Sequence, residues 1–116
     1  MNLETIRSAV QRLSRLPAVQ GAMVVDAGAG VPVVAELMHG MDGTAIAALA
    51  GSLYRRSARA AGAAEFGALN TLQLDAAAGH VIVAGHGDLL VAVVADFDAQ
   101  LGLLRLEAHR IAEVLR

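Results

Sequence analysis

From Leu3 to Leu16 the apolar residues Leu3, Ile6, Val10, Leu13 and Leu16 recur at spacings of three and four, with Arg7, Gln11, Arg12 and Arg15 between them. That spacing makes one stripe of an amphipathic helix. Pro17 ends it, because the residue before a proline is pushed out of the helical region. Residues 22–25 and 31–37 read as two strands around the turn Ala27-Gly28-Ala29-Gly30. Asp42 is then placed to cap a long alanine-rich helix that is expected to stop at Gly62. After Gly67 the apolar period falls to two and predicts strands over 69–76, 80–86 and 89–96, with bends at Gly79 and Gly87-Asp88. The last of these is continuously apolar, as expected of a central strand covered on both faces. A final helix over 98–115 carries Leu101, Leu104, Ala108, Ile111 and Leu115 on one stripe, with Asp96 and Asp98 placed to cap it. Leu103, Leu106 and Val114 lie outside that stripe and are expected to be covered by the first helix.

The long helix has three unlike faces. Ile46, Leu49 and Leu53 are large and apolar; Ala47, Gly51, Tyr54, Ala58 and Ala61 are nearly all small; Ala48, Ser52, Arg55 and Arg59 make the third. A small-sided face permits a second helix to approach at the short end of the usual spacing of roughly 8–10 Å. Alanine also recurs simply as a strong helix former, but Gly51 costs about 1 kcal/mol relative to alanine in mid-helix, which points to packing. The expectation is a dimer contact through Ala47, Gly51, Tyr54, Ala58 and Ala61. Arg55, Arg56 and Arg59 form the one dense basic patch, and read either as a docking site for an acidic partner or as a solvated face near the helix C-terminus. The strand over 69–76 alternates Thr71, Gln73, Asp75 with Leu72 and Leu74. At a sheet edge it would invite pairing with a second copy.

Composition narrows the chemistry. The 116 residues suit one domain over 1–116 and are 56% hydrophobic but only 3% aromatic, so alanine and valine must fill the layers. A net charge of -2 gives no global field for nucleic acid or an anionic membrane. All nine basic residues are Arg, and Cys is absent, which removes thiol nucleophiles and zinc–thiolate sites. No apolar run reaches the roughly 20 residues of a membrane span, and a cytoplasmic protein is expected. Gly28 and Gly30 begin a dinucleotide fingerprint, but Val33 stands at its third glycine and strand-forming residues follow Pro32, so a hairpin is expected and no cofactor. His80 and His86, six residues apart on one strand, stand roughly 20 Å apart, too far to share a metal. Without Lys there is no phosphate-binding Gly-x4-Gly-Lys loop, and no Gly-x-Ser-x-Gly elbow occurs. An enzyme is not expected.

The segment "LPAVQGAMVVDAGAGVPVVA" resembles the opening of the Roadblock family, of dynein light-chain type, through Pro17, Val19, Gly21, Ala22, Val24, Val25 and Asp26. "ALAGSLYRRSARAA" is similar to that family's central helix, and "GDLLVAVVADFDAQLGLLRLEAHRIAEVL" to its closing strand and helix. The resemblance runs from Ile6 to Leu115. The turn at Ala27–Gly30 is longer than the family's usual Asp-x-Gly form. The order αββαβββα gives an α+β fold of profilin-like, Roadblock architecture. In it a five-stranded antiparallel sheet carries the central helix on one face and the N- and C-terminal helices on the other. The resemblance further implies a homodimer in which central helices pair and sheets join edge to edge, involving Leu72 and Leu74. It also implies a non-enzymatic regulator or scaffold working beside a small Ras-like GTPase. A structural subunit of a larger assembly, or a small-ligand sensor, are the other roles considered.

Overall fold

The computed structural model describes residues 2–115, with all their side chains except that of His86; the reading that His80 and His86 stand too far apart to share a metal therefore lies outside the described side chains. The elements are α1 (Leu3–Ser14), β1 (Val19–Asp26), β2 (Val31–Leu37), α2 (Gly43–Ala63), β3 (Thr71–Ala76), β4 (Gly79–His86), β5 (Leu89–Ala95) and α3 (Leu101–Val114). The strands form one antiparallel sheet in the order β2-β1-β5-β4-β3. The two central strands, β1 and β5, are buried nearly throughout. That is the expected fate of strands covered on both faces.

Each face carries its own core. On one, Ile6, Val10 and Leu13 of α1 and Leu104, Ala108 and Ala112 of α3 pack on Val24, Ile82, Val91 and Val93. On the other, Ala47 and Ala50 of α2 pack on Met23, Val25, Val83, Leu90 and Ala92. Alternate residues of β1 and β5 point to opposite layers, so one continuous apolar run serves both cores.

The helix ends show which signals decide them. The Asn2 side chain accepts from Thr5 N–H at 2.8 Å, and Asp42 from Ala45 N–H at 3.0 Å, so both N-termini are capped by short polar side chains. Neither Asp96 nor Asp98 caps α3. The helix starts later, at Leu101, with Gln100 at the cap position and no side-chain cap bond. Asp96 is held instead at the end of β5, where its carboxylate accepts from the Gln20 side chain and its backbone N–H donates to Ala18 C=O.

The α2 C-terminus also departs from expectation. The helix passes Gly62 and ends at Ala63, with Ala64 at the cap position and Glu65 in the left-handed region at φ 65°. Phe66 N–H donates to Ala61 C=O and Glu65 N–H to Gly62 C=O, the reciprocal pair of the Schellman ending. Gly62 sits three residues too early to take that role. A non-glycine residue at the left-handed position costs stability, so Glu65→Gly is expected to stabilise the chain by about 0.5–1 kcal/mol, net of the extra unfolded-state freedom of glycine. Urea unfolding midpoints of the two proteins check it.

Candidate functional site

The β1–β2 turn fixes the position of α2. The Asp26 carboxylate accepts from Ala29 N–H at 3.0 Å and Asp26 C=O from Gly30 N–H at 2.8 Å, with Gly30 at φ 67°. The unit is strand–turn–strand, and the glycines shape a hairpin rather than a pyrophosphate loop. The turn folds onto α2: a Cβ on Gly51 would stand 3.1 Å from the Gly30 Cα. Gly51 therefore has the packing reason its cost implied, but the surface it meets belongs to its own chain.

The small-residue stripe is thus an intramolecular seat. Ala47 is fully buried in the sheet-facing core and Gly51 is buried beside it. Tyr54, half-buried, lies over Gly85 of β4, where any Cβ would meet its ring at 2.7 Å, and its hydroxyl donates to Leu69 C=O at 2.8 Å. Burial raises the Tyr54 pKa above its ordinary value. Ala58 and Ala61, also half-buried, continue the stripe along the helix. Within one chain, Ala47, Gly51 and Tyr54 are engaged with the sheet and its turns, while Ala58 and Ala61 keep part of their surface open. The sheet supplies the large side chains, Met23 and Leu90, so the helix must supply small ones to lie close to it.

The basic patch divides in the same way. Arg55 is half-buried and its guanidinium donates to Ala27 C=O, pinning the hairpin turn to α2, so Arg55 is a structural residue first. Arg56 and Arg59 are exposed, with no ion pair among the described residues.

Because α2 lies over β2 and β1 and reaches β5, the β3–β4 side of this face is only partly covered: Val83 is buried, but Leu72, Leu74 and Val81 stay half-exposed. There Leu72 faces Val83 and Leu74 faces Val81 across the ladder, all on the α2 side of the sheet. A shallow groove of about 180 Å³ runs between Leu49 of α2 and Leu74, Val81 and Gly79. Leu49 is 41% exposed. The sequence placed Leu49 with Ile46 and Leu53 on one apolar face but did not mark it as a surface residue. Its signal was that the stripe at Ala47, Ala50 and Gly51 is better suited to the sheet. Phe66, just beyond α2, is 86% exposed.

The other face of β3 is polar. Arg105 of α3 donates to Gln73 Oε1 at 2.6 Å, Gln73 donates to Asp75 at 2.9 Å, and His80 Nδ1 meets Asp75 at 2.6 Å. The Gln73 and His80 bonds hold the Asp75 carboxyl below its usual pKa. His80 also meets the Phe97 ring edge-on at 5.9 Å between centroids. Among the described residues, no three His, Cys, Asp or Glu side chains gather where a metal ion could be held, and no helix is long and apolar enough to cross a membrane.

Several solved structures share this architecture. Myxococcus xanthus MglB matches with a TM-score of 0.86 at 18% identity, over 99% of this chain and 94% of that one. A Roadblock/LC7 domain from Streptomyces avermitilis gives 0.81 at 20% identity, over 100% and 96%. The chain has the Roadblock/LC7 fold. An MglB described with a tetrameric arrangement also matches, at a TM-score of 0.82 and 18% identity over 97% and 85%. No family model matches the chain, and no curated protein matches it by sequence. The Roadblock/LC7 likeness therefore covers the whole architecture at low identity.

The seat of Tyr54 is open to test. Tyr54→Phe removes the bond to Leu69 and is expected to cost about 0.5–1.5 kcal/mol. Gly85→Ala should cost more, since its methyl group collides with both the Tyr54 ring and Leu90. Thermal unfolding followed by circular dichroism ranks the two, and equal effects would contradict this packing.

Proposed function

We propose that the chain is a homodimeric, non-enzymatic regulator or scaffold for a small Ras-like GTPase. The observation that carries the reading is the uncovered apolar groove beside the free β3 edge. Of the two sheet edges, β2 is blunted by Pro32 and by a register irregularity opposite Val24 and Val25. β3 has neither protection, and Leu72, Leu74, Val81 and Leu49 flank it. A second copy would satisfy both the edge and the groove. The Roadblock/LC7 fold, the MglB likeness and the family resemblance of the sequence support the same reading.

The ladder also restricts how two copies would pair. Gly85 N–H donates to Asn70 C=O. Alternation of bonded pairs then directs the free backbone groups of Thr71, Gln73 and Asp75 outward. A two-fold antiparallel pairing that uses all three sets Gln73 against Gln73 of the second copy and Thr71 against its Asp75. On the groove side it sets Leu72 against the second copy's Leu74. Apolar then meets apolar on one face and polar meets polar on the other. Directly opposed bonded residues stand about 5.5 Å apart at Cα, within disulfide reach. Gln73→Cys is therefore expected to cross-link into a dimer under mild oxidation, whereas Asp75→Cys at the same concentration is not. The reverse pattern would contradict the register.

The GTPase would meet the outward side of α2, where Arg56 and Arg59 project beside Ser52 and Ala48. Their forked donors suit carboxylates on a partner. Preferential contact with one nucleotide state would shift the switch loops of the GTPase by differential affinity. Arg56→Glu with Arg59→Glu should leave the fold and dimer intact and weaken binding of a nucleotide-loaded Ras-like GTPase from the same genome at least about tenfold, about 1.4 kcal/mol. Calorimetry on the pair checks it, with hydrolysis rates measured alongside. Unchanged affinity would return the two arginines to the solvated-face reading.

A further inference from the structure

On the opposite face of the sheet, α1 and α3 run side by side in opposite directions without closing. The N-terminal turn of α1, at Thr5 and Ile6, lies beside Val114 and Leu115 at the far end of α3; Pro17, beyond α1, lies beside Leu103 at its start. Between them are two adjoining hollows of about 220 and 270 Å³, which share Ala9, Arg12, Glu107 and Ile111. Leu103, Leu106 and Val114, expected beneath α1, are instead 37%, 47% and 56% exposed along the rim and outer side of α3. The reason is the width of the sheet: α1 packs mainly on β1 and β2, and α3 on β4 and β5, so the two helices are held apart.

The groove has an apolar floor and a basic rim. Ile6, Ala9, Leu13 and Ile111 line the floor. Arg12 stands exposed on the α1 side, with no ion pair among the described residues. Arg110 stands on the α3 side, bonded to Glu107 at 3.0 Å. Two guanidinium groups against one carboxylate leave the rim net positive. From Thr5 to Leu13 the groove follows about 12 Å of α1 at 1.5 Å per residue, a little over two helical turns.

We propose that the α1–α3 groove docks an acidic amphipathic helix of a partner protein. The partner's apolar residues, at spacings of three and four, would fill the floor. Its flanking carboxylates would meet Arg12 and Arg110, with arginine favoured there for paired bonds to a carboxylate. This surface lies on the other side of the sheet from α2, so it can be occupied together with the GTPase-facing surface. It rests on none of the residues used for that reading.

The test uses the full chain, isotope-labelled, and two synthetic 14-residue helical peptides that share Leu at positions 4, 7, 8 and 11. One carries Glu at the flanking positions and the other carries Lys. The Glu peptide is expected to bind at least tenfold more tightly than the Lys peptide, with amide shift changes confined to α1 and α3. Ala9→Trp, which fills the floor, should reduce its binding tenfold or more. Arg12→Glu with Arg110→Glu, both exposed, should reverse the preference between the peptides. The proposal is overturned if neither peptide binds, if both bind alike, or if the shifts map to Leu49 and Leu74. It is equally overturned if Ala9→Trp halves the mass in solution, since a second copy would then occupy the groove.

Discussion

The close seating of α2 on the first hairpin is the contact on which the rest of the molecule depends. Ala47, Ala50 and Gly51 bring the helix backbone down onto Met23, Val25 and the Gly30 turn, and Arg55 ties that turn back to the helix through Ala27. A larger residue at any of the three positions would lift the helix from the sheet. Held this low, and over β1 and β2, a single helix cannot cover a five-stranded sheet. Tyr54 reaches across to Gly85 and Leu69 and seals part of the remainder. What it does not seal is the strip formed by Leu72, Leu74 and Val81 beside a bare strand edge.

The same geometry explains why the two faces of the sheet differ in kind. On the α2 face the deficit is one of coverage, next to an edge that lacks proline and bulge, and the proposed second copy would answer both needs. On the other face there are two helices, but the sheet between them is wide enough to keep them apart, leaving a groove with basic margins. The chain's polar clusters, such as Arg105–Gln73–Asp75–His80, are engaged with one another along β3.

Most of the architecture was legible in the residues because its signals are local. The switch from period three-to-four to period two, the caps at Asn2 and Asp42, and the unbroken apolar run of β5 each act over a few residues. The boundaries that failed were those set by competition. Gly62 lost the helix end to Glu65, three residues on, because the reciprocal C-terminal bonds close at Ala61 and Gly62. Asp96 was drawn to Gln20 and left α3 uncapped. The site was legible only by half. Sequence marked the small stripe of α2, the arginines and the alternating β3 strand, but not which surface the stripe would meet. Glycine and alanine suit a partner helix and the chain's own sheet equally well, and only the position of the hairpin turn decides between them. For the same reason Arg55 could not be told from Arg56, although one is bonded inward and the other projects into solvent.

If the proposed pairing holds, two copies join through β3 and the groove beside it. Sedimentation equilibrium of the unmodified protein at micromolar concentration tests it most directly. Pairing through β3 should give a single folded species of about twice the 11.9 kDa chain mass. A folded species that stays at the mass of one chain across that range would contradict it.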